Sequence, residues 1–290
     1  NERNFMDPLV SIITPTYNIV ENDHADEFNL LVSLLELQTY PKIEHIVIDG
    51  ASNDETIELL KDYKNKGYLN FFTEKDTGKF HALNKGVMRA KGKYIAFISC
   101  DDFYHDITAI YDAVNVLEAE NADFLFSPAY CRHPENYTFL FMPAMYNAFQ
   151  VMPCARQGMV FKRSMIEEEK YFDEKFKLMS DLDFIIRLLL KKRRGVFFDT
   201  NFTTYKLGEK TYNNEEQCIN ETKLIYHKNF RNLYPLNDEI LDSMARFSEF
   251  PQGLLEKLST CFAAEDKDLF FERCEQMHQL RLEHYRNAQA

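Results

Sequence analysis

Ile95-Ala-Phe-Ile-Ser-Cys-Asp-Asp-Phe103 decides how this chain reads: an apolar run that stops on two adjacent carboxylates, Asp101 and Asp102. A short continuous run of Ile, Ala and Phe after Tyr94 fits a strand buried on both faces, as in parallel sheets. Ending it on Cys-Asp-Asp delivers charge to the carboxyl edge of a sheet, where open α/β folds place their ligands. Neighbouring carboxylates repel, so a cation or a strongly hydrogen-bonded ligand gives a reason for the pair. A turn capping the helix that begins near Ile107 gives another, and the motif alone does not choose.

Outward from this strand the pattern is regular. Residues 10–14 (closed by Pro15), 43–48, 69–73, 94–99 and 123–126 read as strands, alternating with helices over 24–38, 54–63, 80–89 and 107–117. Such alternation predicts βαβ units, a mostly parallel sheet and right-handed crossovers, an α/β fold. Past residue 130 the register loosens. Residues 137–142 and 159–162 read as short strands of an antiparallel extension, followed by a helix over 181–192, a strand over 196–202 and a helix over 215–230. From Pro235 onward the chain reads as helical, over 238–247, 252–262 and 267–287. The expected division is an α/β domain over 1–234 and a helical C-terminal extension over 235–290.

Composition bounds the function. A hydrophobic share of 45% and a charged share of 28% are those of an ordinary globular protein. The net charge of -12 argues against nucleic-acid binding, which needs a basic face. Six scattered cysteines, with no Cys-x-x-Cys pair, predict reduced thiols and no structural zinc. With no apolar run of bilayer length and no signal-peptide pattern, the expected location is the cytoplasm. The first residue is Asn rather than Met, which fits a trimmed chain.

Other strand ends bring polar residues to the same edge. The first strand runs into Ile13-Thr-Pro-Thr-Tyr-Asn18 and the second into Val47-Ile-Asp-Gly-Ala-Ser-Asn-Asp54. Asp49 there can accept a hydrogen bond from a base imide or a ribose hydroxyl, whereas Asp54 reads as the N-cap of the next helix. In the third crossover, Glu74-Lys-Asp-Thr-Gly-Lys-Phe-His-Ala-Leu-Asn-Lys-Gly86, Lys79 or Lys85 can face a diphosphate and Asn84 a sugar or nucleoside. No P-loop and no Gly-x-Gly-x-x-Gly follows the first strand.

Taken together, Val10-Ser-Ile-Ile-Thr-Pro-Thr-Tyr-Asn18, Gln38-Thr-Tyr-Pro-Lys-Ile-Glu44, Ile48-Asp-Gly-Ala-Ser-Asn-Asp-Glu-Thr56, Asp76-Thr-Gly-Lys-Phe-His-Ala-Leu-Asn-Lys-Gly86 and Gly92-Lys-Tyr-Ile-Ala-Phe-Ile-Ser-Cys-Asp-Asp102 strongly resemble the family 2 glycosyltransferases, over roughly residues 8–232. The resemblance implies the GT-A fold, a Rossmann-like, mostly parallel sheet flanked by helices. It also implies inverting transfer of a sugar from a nucleotide-diphosphate donor, above all a UDP-sugar, to a glycan or lipid-linked glycan acceptor in cell-surface polysaccharide synthesis. Position by position, it implies that Thr14, Tyr17 and Asp49 hold the nucleoside and that Asp76 and Asn84 line the nucleotide or donor sugar. Asp102 would bind a Mn or Mg ion at the diphosphate, with Asp101 near the ribose; a hard cation with few protein ligands suits that task.

Inverting transfer also needs a base for the acceptor hydroxyl. Lys177-Leu-Met-Ser-Asp-Leu-Asp-Phe184 resembles the family's Glu-Asp segment, with Ser180 in place of the Glu and Asp181 at the catalytic Asp. Asp183 is its rival, about 200° further round the helix and spaced i, i+4 from Arg187 for an ordinary helix pair. Pro153-Cys-Ala-Arg-Gln-Gly-Met-Val-Phe161 resembles an acceptor-side segment, which assigns Arg156, standing for the usual His, and Gln157 to the acceptor. Lys206-Leu-Gly-Glu-Lys-Thr211 departs from the family's Gly-Gly-x-Ser, and a loop near 206–214 is expected to order over the donor. The run Lys191-Lys-Arg-Arg194 suits a helix C-terminus and leaves room for peripheral contact with the inner membrane face. In the tail, Phe270, Cys274, Met277 and Leu280 form an apolar stripe for packing on the main domain, or for a homodimer. Two readings from other classes stay open: a nucleotidyltransferase, whose Gly-rich first loop is missing, and a non-catalytic sugar-nucleotide-binding protein.

Overall fold

The computed structural model describes residues 7–207 and 213–289. In chain order the elements are β1 (Val10–Thr16), α1 (Ala25–Glu36), β2 (Ile43–Asp49), α2 (Thr56–Asn65), β3 (Asn70–Thr73), α3 (Lys79–Arg89), β4 (Tyr94–Phe97), β5 (Phe103–Tyr104), α4 (Ala109–Glu120), β6 (Phe124–Phe126), β7 (Ala129–Arg132), β8 (Thr138–Phe141), β9 (Met159–Lys162), α5 (Arg163–Glu168), α6 (Ser180–Leu190), β10 (Gly195–Phe197), β11 (Thr203–Lys206), α7 (Glu215–Phe230), α8 (Asp238–Phe247), α9 (Gln252–Leu258) and α10 (Lys267–Gln289). They form a seven-stranded sheet in the order β10-β6-β9-β4-β1-β2-β3 and a four-stranded sheet in the order β5-β11-β7-β8.

The central strands are apolar because both faces are covered. Val10, Ile12 and Ile13 of β1 and Ile95, Ala96 and Phe97 of β4 are fully buried. Strand β1 pairs in parallel with β2 and β4. It runs through Pro15, beyond the expected stop. Ile13 O accepts the Ile98 amide on the β4 side, and alternation would send the amide of residue 15 the same way, past the end of β4. A missing N–H there forfeits no ladder bond.

Strand β9 is not an edge extension. It inserts between β4 and β6, antiparallel to both, which makes the sheet mixed at its centre. Of the predicted strand over 196–202 only Val196 and Phe197 are strand, at the end of β10, and the next strand, β11, starts at Thr203 in the other sheet; the run near Tyr94 ends as a strand at Phe97 rather than Ser99.

The chain divides into two compact units. One, of residues 7–143, 154–174 and 194–207, carries both sheets; the other, of 144–153, 175–193 and 213–289, carries α6 to α10. The second unit thus takes in segments on both sides of residue 235. Within the second unit the late helices share a core with earlier segments. Phe149 lies edge-on to Phe230, Phe262 and Phe270, with ring centroids 6.0 to 6.3 Å away. Phe270 and Cys274 are buried, while Leu280 is exposed.

Candidate functional site

The carboxyl edge of β1 and β2 is tied together by one carboxylate. Asp49 is fully buried and accepts hydrogen bonds from Thr16 Oγ1 (3.2 Å), Thr73 Oγ1 (2.8 Å), and the amide and hydroxyl of Ser52. Four donors fill the capacity of a carboxylate, so Asp49 braces the rim rather than presenting an oxygen to a nucleoside. Thr14 is also corrected. It lies two residues deeper on the strand, fully buried, and shares a 2.9 Å hydrogen bond with His45 Nε2. The edge threonine is Thr16, in register with Asp49, and the Thr-Pro-Thr repeat carried no signal to choose between the two.

What the rim does expose is Tyr17, 59% accessible. Gly50 forms a floor between Tyr17 and Asp76: a Cβ there would lie 2.8 Å from Asp76 Oδ2 and 3.3 Å from Tyr17 Cδ2. Tyr17, Gly50 and Asp76 thus lie close together beside the Asp49 brace. Asp76 is steadied by the Gly78 amide on Oδ1, 2.9 Å. Asn84 is not part of this group. It is buried, donates to Phe172 O and Glu174 Oε1 (both 2.9 Å), and accepts from Phe172 N (3.0 Å), pinning α3 to the segment after α5. Lys85 is turned onto Lys75 O (2.9 Å) and Glu74.

The paired aspartates sit in different environments. Asp102 is 1% accessible. Its Oδ2 takes Gln157 Nε2 and its Oδ1 takes the Lys206 amide, each at 2.7 Å. Burial, and then the charge of Asp101, push its pKa up to about 6 against the pull of hydrogen bonds from Lys206, Gln157 and Ser99. Asp101 is half-buried; its carbonyl accepts from the Arg132 guanidinium, and its carboxylate holds no hydrogen bond among the described residues. Asp102 is thus a buried brace between the end of β4 and β11, and Asp101 is the less buried of the two carboxylates. Gln157, expected on the acceptor side, is part of that brace, and Arg156 is buried with its guanidinium 6.0 Å from the Phe80 ring.

A Mn or Mg ion fits this arrangement as a guest with few protein ligands. Among the described residues no three His, Cys, Asp or Glu side chains gather into a metal cage. One available carboxylate at a strand end suits a hard cation that completes its shell with diphosphate oxygens and water.

In the second unit, the segment leading into α6 is held by a residue that no motif signalled. Glu221 of α7, 7% accessible, accepts the backbone amides of Lys177 (3.0 Å), Leu178 and Met179 (both 2.9 Å). It thereby fixes the turn on which Asp181 stands, half-exposed in the first turn of α6. Asp183 is fully buried, bonded to Arg187 Nε (2.9 Å), Lys228 Nζ (2.8 and 2.9 Å) and Asn229 Nδ2 (2.9 Å). It serves as the joint between α6 and α7. Residues 208–212, most of the loop expected to close over the donor, lie outside the described residues.

Comparison with known proteins agrees with this architecture. Residues 11–192 match the profile of glycosyl transferase family 2, and the chain belongs to that family, with a GT-A fold. It is 34% identical over 131 residues to an uncharacterized glycosyltransferase of Rickettsia prowazekii, covering 45% of this chain and 38% of that protein. It is 36% identical over 97 residues to a putative teichuronic acid biosynthesis glycosyltransferase, TuaG, of Bacillus subtilis, covering 33% of this chain and 36% of that one. The chain spans less than two fifths of the length of these relatives. Among solved structures, residues 1–349 of S. aureus TarS in complex with UDP-GlcNAc superimpose with a TM-score of 0.61 at 16% identity, covering 97% of this chain and 92% of that one. The mannosyltransferase PcManGT of Pyrobaculum calidifontis, in complex with GDP-Man and Mn2+, superimposes with a TM-score of 0.62 at 16% identity, covering 95% and 84%. No helix among the described residues is long and apolar enough to cross a membrane.

Proposed function

We propose that this chain is an inverting glycosyltransferase that moves a sugar from a nucleotide-diphosphate donor, a UDP-sugar, to a glycan or lipid-linked glycan in cell-surface polysaccharide synthesis. The observation that carries the reading is the half-buried Asp101 carboxylate. It stands at the carboxyl end of the central sheet, where the parallel strands β1, β2 and β3 also bring Tyr17, Gly50 and Asp76. The likeness to TarS, solved with UDP and UDP-GlcNAc, supports a uridine donor, and TuaG supports a polysaccharide product.

A divalent Mn or Mg ion held by Asp101 would neutralise the charge that builds on the departing diphosphate. The ring of Tyr17 would stack on the base while Asp76 orients the ribose or donor sugar. Asp102, Gln157 and the Lys206 amide keep the Asp101 turn in place. Asp181 acts as the general base. Its carboxylate takes the proton of the acceptor hydroxyl as that oxygen bonds to the anomeric carbon. The bond to the diphosphate breaks from the opposite face, its electron pair leaving with the nucleoside diphosphate. Asp183 is unsuited to this task because three neighbours hold its oxygens. The test is Asp181→Asn, assayed with UDP-, GDP- and dTDP-sugars. Turnover is expected to fall by roughly 10²- to 10⁴-fold while the thermal shift produced by donor and Mn2+ is kept. Full turnover by the variant would remove Asp181 from the mechanism.

A further inference from the structure

The small sheet places two cations side by side next to Asp101. Strands β11 and β7 run in parallel with Lys206 opposite Arg132 and Thr204 opposite Tyr130. Alternation puts Arg132 and Lys206 on the face opposite the buried Cys131 and Tyr205. Like charges in register on neighbouring strands repel and weaken a sheet. Neither side chain forms an ion pair with a carboxylate among the described residues. The Arg132 guanidinium donates to the Asp101 carbonyl and lies 5.6 Å from the Phe103 ring centroid, yet its Nε is buried with no hydrogen-bond partner. A buried N–H left open costs stability, and the paired charges repel. An anion at the solvent face of this sheet would relieve that repulsion.

We propose that Arg132 and Lys206 form a phosphate clamp beside Asp101, with the Arg132 fork binding two phosphate oxygens and Lys206 supplying a second positive charge. Which molecule carries the phosphate rests on the glycosyl-transfer reading. In that setting it is the donor diphosphate or a phosphate of the acceptor. The clamp would offset charge on the phosphate alongside any cation that Asp101 holds.

The test is calorimetric titration of the full chain with UDP, GDP, uridine and glycerol 3-phosphate in separate arms, with Mn2+ present, for wild type, Arg132→Gln, Arg132→Lys and Lys206→Met. Thermal unfolding is recorded for each variant. Arg132→Gln is expected to weaken the nucleoside diphosphate by about tenfold to a hundredfold, to leave uridine unchanged, and to unfold cooperatively as the wild type does. Arg132→Lys should recover part of the loss, and Lys206→Met, which keeps the main-chain amide on Asp102, should weaken the same ligand. A loss confined to glycerol 3-phosphate also upholds the clamp and assigns it to the acceptor. Unchanged affinity for every phosphate compound overturns it, as does a loss shared equally by uridine, which would mark Arg132 as a prop for the turn. If the wild type binds neither UDP nor GDP, the glycosyl-transfer reading falls. Glycerol 3-phosphate then decides the clamp, and no binding of it overturns the clamp too.

Discussion

At the scale of single residues, burial gives neighbouring polar groups different tasks. Asp102, sealed under Gln157 and Lys206, spends both oxygens on the scaffold, whereas the carboxylate of Asp101, one residue earlier, holds no hydrogen bond among the described residues. His45 is a further case. It is buried against Thr14, its Nδ1 has no partner, and burial lowers its pKa to about 3. The sign of the effect follows from linkage. Below about 6.5 the unfolded chain takes up a proton that the folded chain refuses until near 3, so the contribution of His45 is intact above 6.5 and is lost as pH falls toward 3. The loss runs at up to about 1.4 kcal/mol per pH unit. Urea unfolding of wild type and His45→Gln at pH 7 and pH 4.5 checks this, and the variant should lose less stability on acidification. Parallel pH profiles for the two proteins would contradict it.

At the scale of elements, α3 and β1 approach closely beneath the carboxyl edge of the sheet. Gly86 is where they meet: a Cβ there would lie 2.3 Å from Ile13 Cγ2. In an open helix, replacing Gly by Ala stabilises by about 1 kcal/mol. Here Gly86→Ala should instead destabilise by about 1 to 3 kcal/mol, the cost of overpacking a filled core, read as a lower denaturation midpoint. A gain in stability would show that α3 can shift freely. Long elements such as α1, α3, α4 and α6 were legible in the sequence because apolar spacing over ten or more residues survives local noise. The short strands were not. With two residues in β5 and four in β7, no periodicity can develop, and β9 reads as an apolar tetrapeptide whose place in the centre of the sheet depends on partners far along the chain. The site was legible in the same measure. Asp101, Asp102, Tyr17, Asp76 and Asp181 stand in local motifs, whereas Glu221 and Arg132 act on segments some 30 to 44 positions away and leave no local pattern.

At the scale of the whole molecule, a sequence boundary near residue 235 marks a change of composition rather than the edge of a body. Phe262 and Phe270 belong to the core that also holds Phe149 and Phe230. A chain ending at 234 would lack Phe262 and Phe270 and expose Phe149 and Phe230, and is expected to aggregate or unfold at lower temperature than the 290-residue chain. Phe270→Ala alone should cost about 3 to 5 kcal/mol, and wild-type thermal stability in either variant would contradict the shared core. The central claim is that Asp101, at the end of the strand where the sequence turns from apolar to acidic, anchors nucleotide-sugar chemistry. The most direct measurement is release of nucleoside diphosphate from UDP-, GDP- and dTDP-sugars with Mn2+, by wild type and Asp101→Asn side by side. The account predicts metal-dependent release by the wild type and a loss of at least about a hundredfold in the variant; equal release by both, or none from any donor by the wild type, would contradict it.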